Sequence, residues 1–207
     1  MATIKSGAST DLLTIDAVSK ASRVTPYDVL GNYRGVKRTY RSASIVPYVP
    51  AVTVNRTIFT IGGSATTTVT VKRIVVTGST LTAVAYIAIN AVRYSTATTG
   101  GTSTNLPQVL MDTANAAGTA SQVRTYTAVP TDGTLVGHIA SRRVLMQATT
   151  AAAAGVLHEP MIFDFGNMND TQGMVLRGVT QECALLFPVA PATTPTISVE
   201  VEWTEEA

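Results

Sequence analysis

The sequence predicts an all-β protein, an antiparallel β-sandwich or jelly roll preceded by an extended N-terminal arm. Three observations lead to this. From Thr196 to Trp203, apolar Ile197, Val199, Val201 and Trp203 alternate with Ser198, Glu200, Glu202 and Thr204, the period of a strand with one face in a core and one in water. From Ala51 onward, short apolar runs rich in β-branched residues are separated by Gly, Pro and Ser, which suits many short strands joined by turns. The first fifty residues differ: they hold short apolar pairs, a cluster of basic residues, and Pro at 26, 47 and 50, which favours extended chain.

Taken in order, residues 1–50 read as an attachment arm with one or two short strands and no core of its own. Its contact residues would be Arg23, Arg34, Lys37, Arg38, Tyr40 and Arg41. The β domain would span 51–207. One strand is marked by Val52, Val54, Ile58 and Ile61. The next runs from Thr67 to Val76, with Val69, Val71, Arg73 and Val75 on one face and a turn at Gly78-Ser79. Leu81 to Asn90 is apolar on both faces, as a central strand is. Ser95 to Asn105 is a Ser/Thr/Gly loop, and Gln108 to Ser121 has room for a single helical turn. Strands follow at Val123 to Ala128, Leu135 to Met146, Pro160 to Phe165, Gly173 to Thr180 and Cys183 to Val189, with a loop of small residues at Ala148 to Gly155.

Only 14% of the 207 residues are charged, against 45% hydrophobic; an average domain is about 25% charged. A surface covered by Thr, Ser, Gly and Ala suits packing against neighbours. Ten of the 15 basic residues but three of the 13 acids precede residue 75. A basic front and an acidic end make Glu200 and Glu202 the expected acidic partner face for the arm, within one subunit or from another. The start, Met1 to Gly7, lacks the apolar core of a secretion signal, and no run reaches the ~18 apolar residues of a membrane span.

Chemistry-bearing patterns are sparse. Cys183 stands alone in an apolar run and reads as a buried small hydrophobe. His138 and His158 lack metal-site spacing. The carboxylates Glu159, Asp164, Asp170 and Glu182 form no diagnostic pair, and no nucleophile elbow or phosphate loop is present. Asn55-Arg56-Thr57 matches a glycosylation acceptor but falls within an expected strand. Basic residues interleaved with Tyr33 and Tyr40 are a weak nucleic-acid signature; a protein neighbour is the better expectation. No cofactor and no metal are expected.

Two stretches carry a resemblance. Ala2 to Gly7, Asp11 to Asp16 and Ser19 to Asp28 resemble the opening module of small virion structural proteins of tailed bacteriophages. In the back half, Thr99 to Ser103, Arg124 to Pro130, Gly133 to Gly137, Phe163 to Gly166, Val175 to Gly178 and Val199 to Glu206 resemble phrases of the same group. The resemblance implies a virion location after assembly in the bacterial host cytoplasm. It also implies a homo-oligomer, a trimer being one option, with major capsid or tail proteins as partners. No catalytic motif comes with it. The expectation is a non-enzymatic capsid decoration (cement) or short head-fibre protein anchored by its arm. The alternative is a tail or fibre adhesin with binding loops at Ser95 to Asn105 and Ala148 to Gly155. A third option is an enzyme on cell-wall sugars, which would need clustered carboxylates in a cleft.

Overall fold

The computed structural model describes residues 4–5, 12–15, 22–24, 37–149, 159–166 and 173–206. Contacts divide the chain into residues 1–37 and 38–207. In the first unit, β1 (Ile4–Lys5), β2 (Leu12–Ile15) and β3 (Ser22–Val24) form an antiparallel sheet in that order, with Leu13 opposite both Ile4 and Val24. The arm thus carries three short strands.

The second unit is an antiparallel β-sandwich, and no helix occurs among the described residues. Its strands are β4 (Arg38–Ala43), β5 (Thr57–Gly62), β6 (Thr68–Thr80), β7 (Ala85–Tyr94), β8 (Ser103–Asn105), β9 (Val109–Leu110), β10 (Val123–Tyr126), β11 (Leu135–Met146), β12 (Met161–Asp164), β13 (Met174–Leu176), β14 (Glu182–Leu186) and β15 (Pro195–Glu206). One sheet runs β11-β7-β14-β5-β10-β8. The other runs β12-β6-β15-β4-β9, with β13 beside β12 along β6.

The core between the sheets is built from alternate residues of the central strands: Phe59 and Ile61, Ile87 and Ile89, Cys183 and Leu185 on one side, Ile197, Val199, Val201 and Trp203 on the other. Each such side chain contributes about 1.5–3 kcal/mol on full burial. Cys183 is fully buried, as its apolar setting predicts, and burial pushes its thiol up to about 12. Trp203 lies opposite Tyr40 of β4, the rings stacked with centroids 5.7 Å apart and an interplanar angle of 19°.

That pairing moves the arm boundary. β4 is an interior strand between β15 and β9, so residues 38–50 belong to the sandwich, and the contact boundary falls at 37/38 instead of 50/51. The short pattern of β4 hides its role: only Tyr40 and Ser42 are buried in it.

Other local expectations shift for physical reasons. Val52 and Val54 are exposed and precede β5; Asn55, in a turn at φ 53°, ends that segment. Asn tolerates this left-handed region better than most residues, so the Asn55-Arg56-Thr57 match lies in a turn and not in a strand. In β6 the pairing with β15 steps from Arg73–Glu202 to Val71–Trp203, leaving Lys72 as an extra residue. This β-bulge reverses the alternation. The inward residues are Val69, Val71, Ile74 and Val76, and not Arg73 and Val75. Gly78 is no turn but sits inside β6 opposite Ile197, where a Cβ would lie 2.4 Å from Thr196 O. Residues 108–121 hold β9 and a turn at 112–115 instead of a helical turn.

On one flank the outermost strands are β11 and β12. β11 carries register shifts between Leu135 and Gly137 and between His138 and Ala140, and Arg142 Nε donates across to Ile162 O at 3.2 Å.

Candidate functional site

The outer face of the β11-to-β8 sheet carries one cluster of buried polar groups. Val92, Tyr94, Ala184 and Leu186 point away from the main core and form a second small cluster there. Segments 95–102 and 127–134 are hydrogen-bonded to each other. Thr99 and Thr131 exchange two backbone bonds (2.9 and 2.8 Å), Ser95 N donates to Thr134 O at 2.9 Å, and Thr134 N donates to Thr96 Oγ1 at 2.7 Å. Gly133 packs so closely that a Cβ would stand 1.9 Å from Thr96 O. This holds Asp132 over the start of β5, where Oδ1 accepts from Thr57 N (3.2 Å) and Oδ2 lies 3.4 Å from Arg56 Nη1. Thr57 Oγ1 and Tyr94 Oη are 3.1 Å apart. Burial pushes the Tyr94 phenol up to about 12, with smaller contributions from the Thr57 bond and the nearby charges. Beside this cluster is a cavity of about 260 Å³ whose walls include Asn55, Asp132, His138, Leu135 and Leu186.

Glu182 is deeper on the same face. It is 0% exposed, and its Oε2 accepts from Thr98 N at 2.9 Å. Burial raises its carboxyl above the ordinary value, partly offset by the Thr98 bonds. Its Oε1 accepts no bond from the described residues.

A second buried carboxylate, Glu205, sits at the end of β15, 3% exposed. Oε1 accepts from Thr119 N (3.0 Å), Ala120 N (3.2 Å) and Trp203 Nε1 (2.9 Å). Oε2 accepts from Thr119 N (2.9 Å), Thr119 Oγ1 (2.7 Å) and Thr67 Oγ1 (3.3 Å). These bonds tie the 117–120 segment to β15. They occupy the carboxylate with structural work, since buried charge is tolerated only when so satisfied.

A third feature is apolar. Tyr48 exchanges two backbone bonds with Ile197 (2.8 and 2.9 Å), and its hydroxyl donates to Ile58 O at 3.0 Å. This fixes the segment after β4 yet leaves Ile45 84% and Val46 67% exposed. Together with Tyr48, Leu106 and Pro107 they line a groove of about 330 Å³.

The expected arm residues separate. Arg34 lies outside the described residues, and Arg23 is placed on β3 with only its backbone described. Lys37 is exposed just before β4, and Arg38 is half-buried at its start. Tyr40 corrects the expectation of a contact residue: it is 1% exposed, stacked on Trp203, with its hydroxyl donating to Ala116 O at 2.8 Å. Arg41 and the acidic face do meet. Arg41 Nε donates to Glu202 Oε2 at 2.8 Å, and Nη1 lies 3.8 Å from Glu200 Oε1. They meet as cross-strand neighbours in β4 and β15.

His158 and Asp170 lie outside the described residues, while Asp164 (on β12) and Glu182 (on β14) belong to opposed sheets. Asp132 and Glu205 are the polar anchors that sequence reasoning passed over. The only signal for Glu205 was its place one residue beyond the alternating run.

No family model, no curated protein and no solved structure matches this chain.

Proposed function

We propose that the chain is a non-enzymatic structural protein of a tailed-phage particle, a capsid decoration or short head-fibre protein that packs against major capsid or tail proteins and copies of itself. The observation that carries this reading is the apolar segment after β4. Ile45, Val46, Val49, Val52 and Val54 are all exposed within ten residues, on a backbone held rigidly by Tyr48 and Asn55. Ordered apolar surface of this kind, beside an apolar groove, suits a protein interface. The carboxylates Asp132 and Glu205 support the same reading, because each ties a loop to a strand.

The test is particle incorporation of the variant Ile45→Asp/Val46→Asp, with circular dichroism as the check on folding. Loss of incorporation in a folded variant supports the reading; full incorporation overturns the role of this segment. The arm is tested separately by truncation, which must stop before residue 37 because β4 supplies Tyr40 to the core. Retained incorporation of that truncated chain would show that the arm is not the anchor.

A second reading, a host-surface adhesin, is favoured by one observation: the polar cavity beside Asp132 adjoins the bonded loops at 95–102 and 127–134.

A further inference from the structure

We infer that the cavity between the Asn55 turn, Asp132 and β11 is a binding site for a single sugar ring. The inference deepens the adhesin reading by naming its ligand class, and it does not depend on where the protein resides.

A sugar ring presents hydroxyls that both donate and accept, together with an apolar C–H face. Its site needs mixed polar groups set against an apolar wall. Asp132 supplies a carboxylate, which offers about four acceptor positions. Thr57 N uses one oxygen, and the other is met only at 3.4 Å by the half-exposed Arg56. Asn55 brings a carboxamide able to donate and accept. His138 Nδ1 lies 3.1 Å from Asn90 Nδ2, so its second nitrogen remains for a ligand. Leu135 and Leu186 provide the apolar wall.

Charge narrows the ligand further. Asp132 is the one carboxylate among the described residues of the cavity wall, and the half-exposed Arg56 beside it reaches it only at 3.4 Å. That field opposes a phosphate, sulfate or carboxylate. Among the described residues no group of three His, Cys, Asp or Glu is placed to hold a metal ion. A neutral, hydroxyl-rich ligand fits both facts. The site is also built in advance. The Asn55 turn is held by Asn55 N donating to Phe187 O at 2.7 Å, and Asp132 is held by the packing of Gly133 and the Thr96–Thr134 bonds. Little ordering entropy is then lost on binding.

The experiment is an amide NMR titration of the full-length, isotope-labelled chain with free hexoses, N-acetylhexosamines and deoxyhexoses. Inorganic phosphate and tetramethylammonium serve as comparison arms. At least one sugar should give saturable shifts confined to residues near 55–57, 131–138 and 186. Asp132→Asn keeps an acceptor for Thr57 N but loses the charge, and it should weaken binding about tenfold, the equivalent of ~1.4 kcal/mol. His138→Ala and Asn55→Gly, the latter compatible with the left-handed turn, should weaken it as well with unchanged spectra elsewhere. The inference is overturned if no sugar saturates, if phosphate or tetramethylammonium binds there instead, or if all three folded variants bind as tightly as the parent. Particle incorporation of Ile45→Asp/Val46→Asp is read independently, so the two proposals fail separately.

Discussion

Trp203 donates its indole Nε1–H to Glu205 Oε1 at 2.9 Å, two residues farther along the same strand. A large apolar side chain and a charged one thus point to the same side of β15. The carboxylate is tolerated there because Thr67, Thr119 and Ala120 also donate to it.

Replacing Glu205 with Ala leaves several buried donors unpaired, each costing roughly 1–3 kcal/mol. The expected loss is about 3 kcal/mol or more of unfolding free energy. Glu205→Gln keeps one acceptor and should cost less. Urea unfolding followed by Trp203 fluorescence reads both; a loss within experimental error for Glu205→Ala would refute the anchoring role.

Glu182 predicts a pH effect of definite sign. Its folded carboxyl is raised above its ordinary value of 4.5 by burial. The stability it contributes is therefore fully present below that value and is lost as pH rises through the folded value. Glu182→Gln, which keeps an acceptor for Thr98 N, should be more stable than the parent at neutral pH. The difference should shrink as pH falls toward 4.5. Paired thermal melts across that range measure it, and a difference that grows on acidification would contradict the assignment.

The Arg41–Glu202 pair is partly exposed, so its coupling should be small. A double-mutant cycle with Ala is expected to give about 0.2–1 kcal/mol, falling toward zero in ~1 M salt, where screening acts within about 3 Å. Charge reversal at Glu200 and Glu202 should leave oligomer size unchanged if this pair acts only within the subunit. A drop in oligomer size that high salt relieves would place the acidic face at a subunit contact.

Gly133→Ala would force a Cβ against Thr96 O, and overpacking of this kind costs typically 1–3 kcal/mol. With about 2–4 °C of melting temperature per kcal/mol for a chain of this size, calorimetry should show a clear decrease. The variant should also displace Asp132, so the shift of Thr57 N in an amide spectrum should change with it.

The sequence made the class of fold legible wherever alternation ran unbroken. Ile197, Val199, Val201 and Trp203 face the core as their spacing predicts, while β11 was marked out over Leu135 to Met146, its observed span, by its bounding turns and not by alternation, since two bulges break it. Legibility failed where one residue interrupts the period. Lys72 inverts the faces of β6, and nothing in the run Thr68 to Val76 announces it, because Val75 and Val76 are equally apolar. β4 was missed because its charges, Arg38 and Arg41, flank a single core residue, Tyr40. The polar sites were harder still. Asp132, on a loop, and Glu182, on β14, are 50 residues apart in sequence, so only the folded topology sets their chemistry.

The flank formed by β11 and β12 has a consequence for how copies can add. Two bulges crimp β11, and Arg142 occupies a carbonyl of β12; crimped and occupied edges make poor templates for another strand. Strand-to-strand addition between sandwiches is therefore disfavoured at this flank among the described residues, and copies that add to one another are expected to do so through other surfaces.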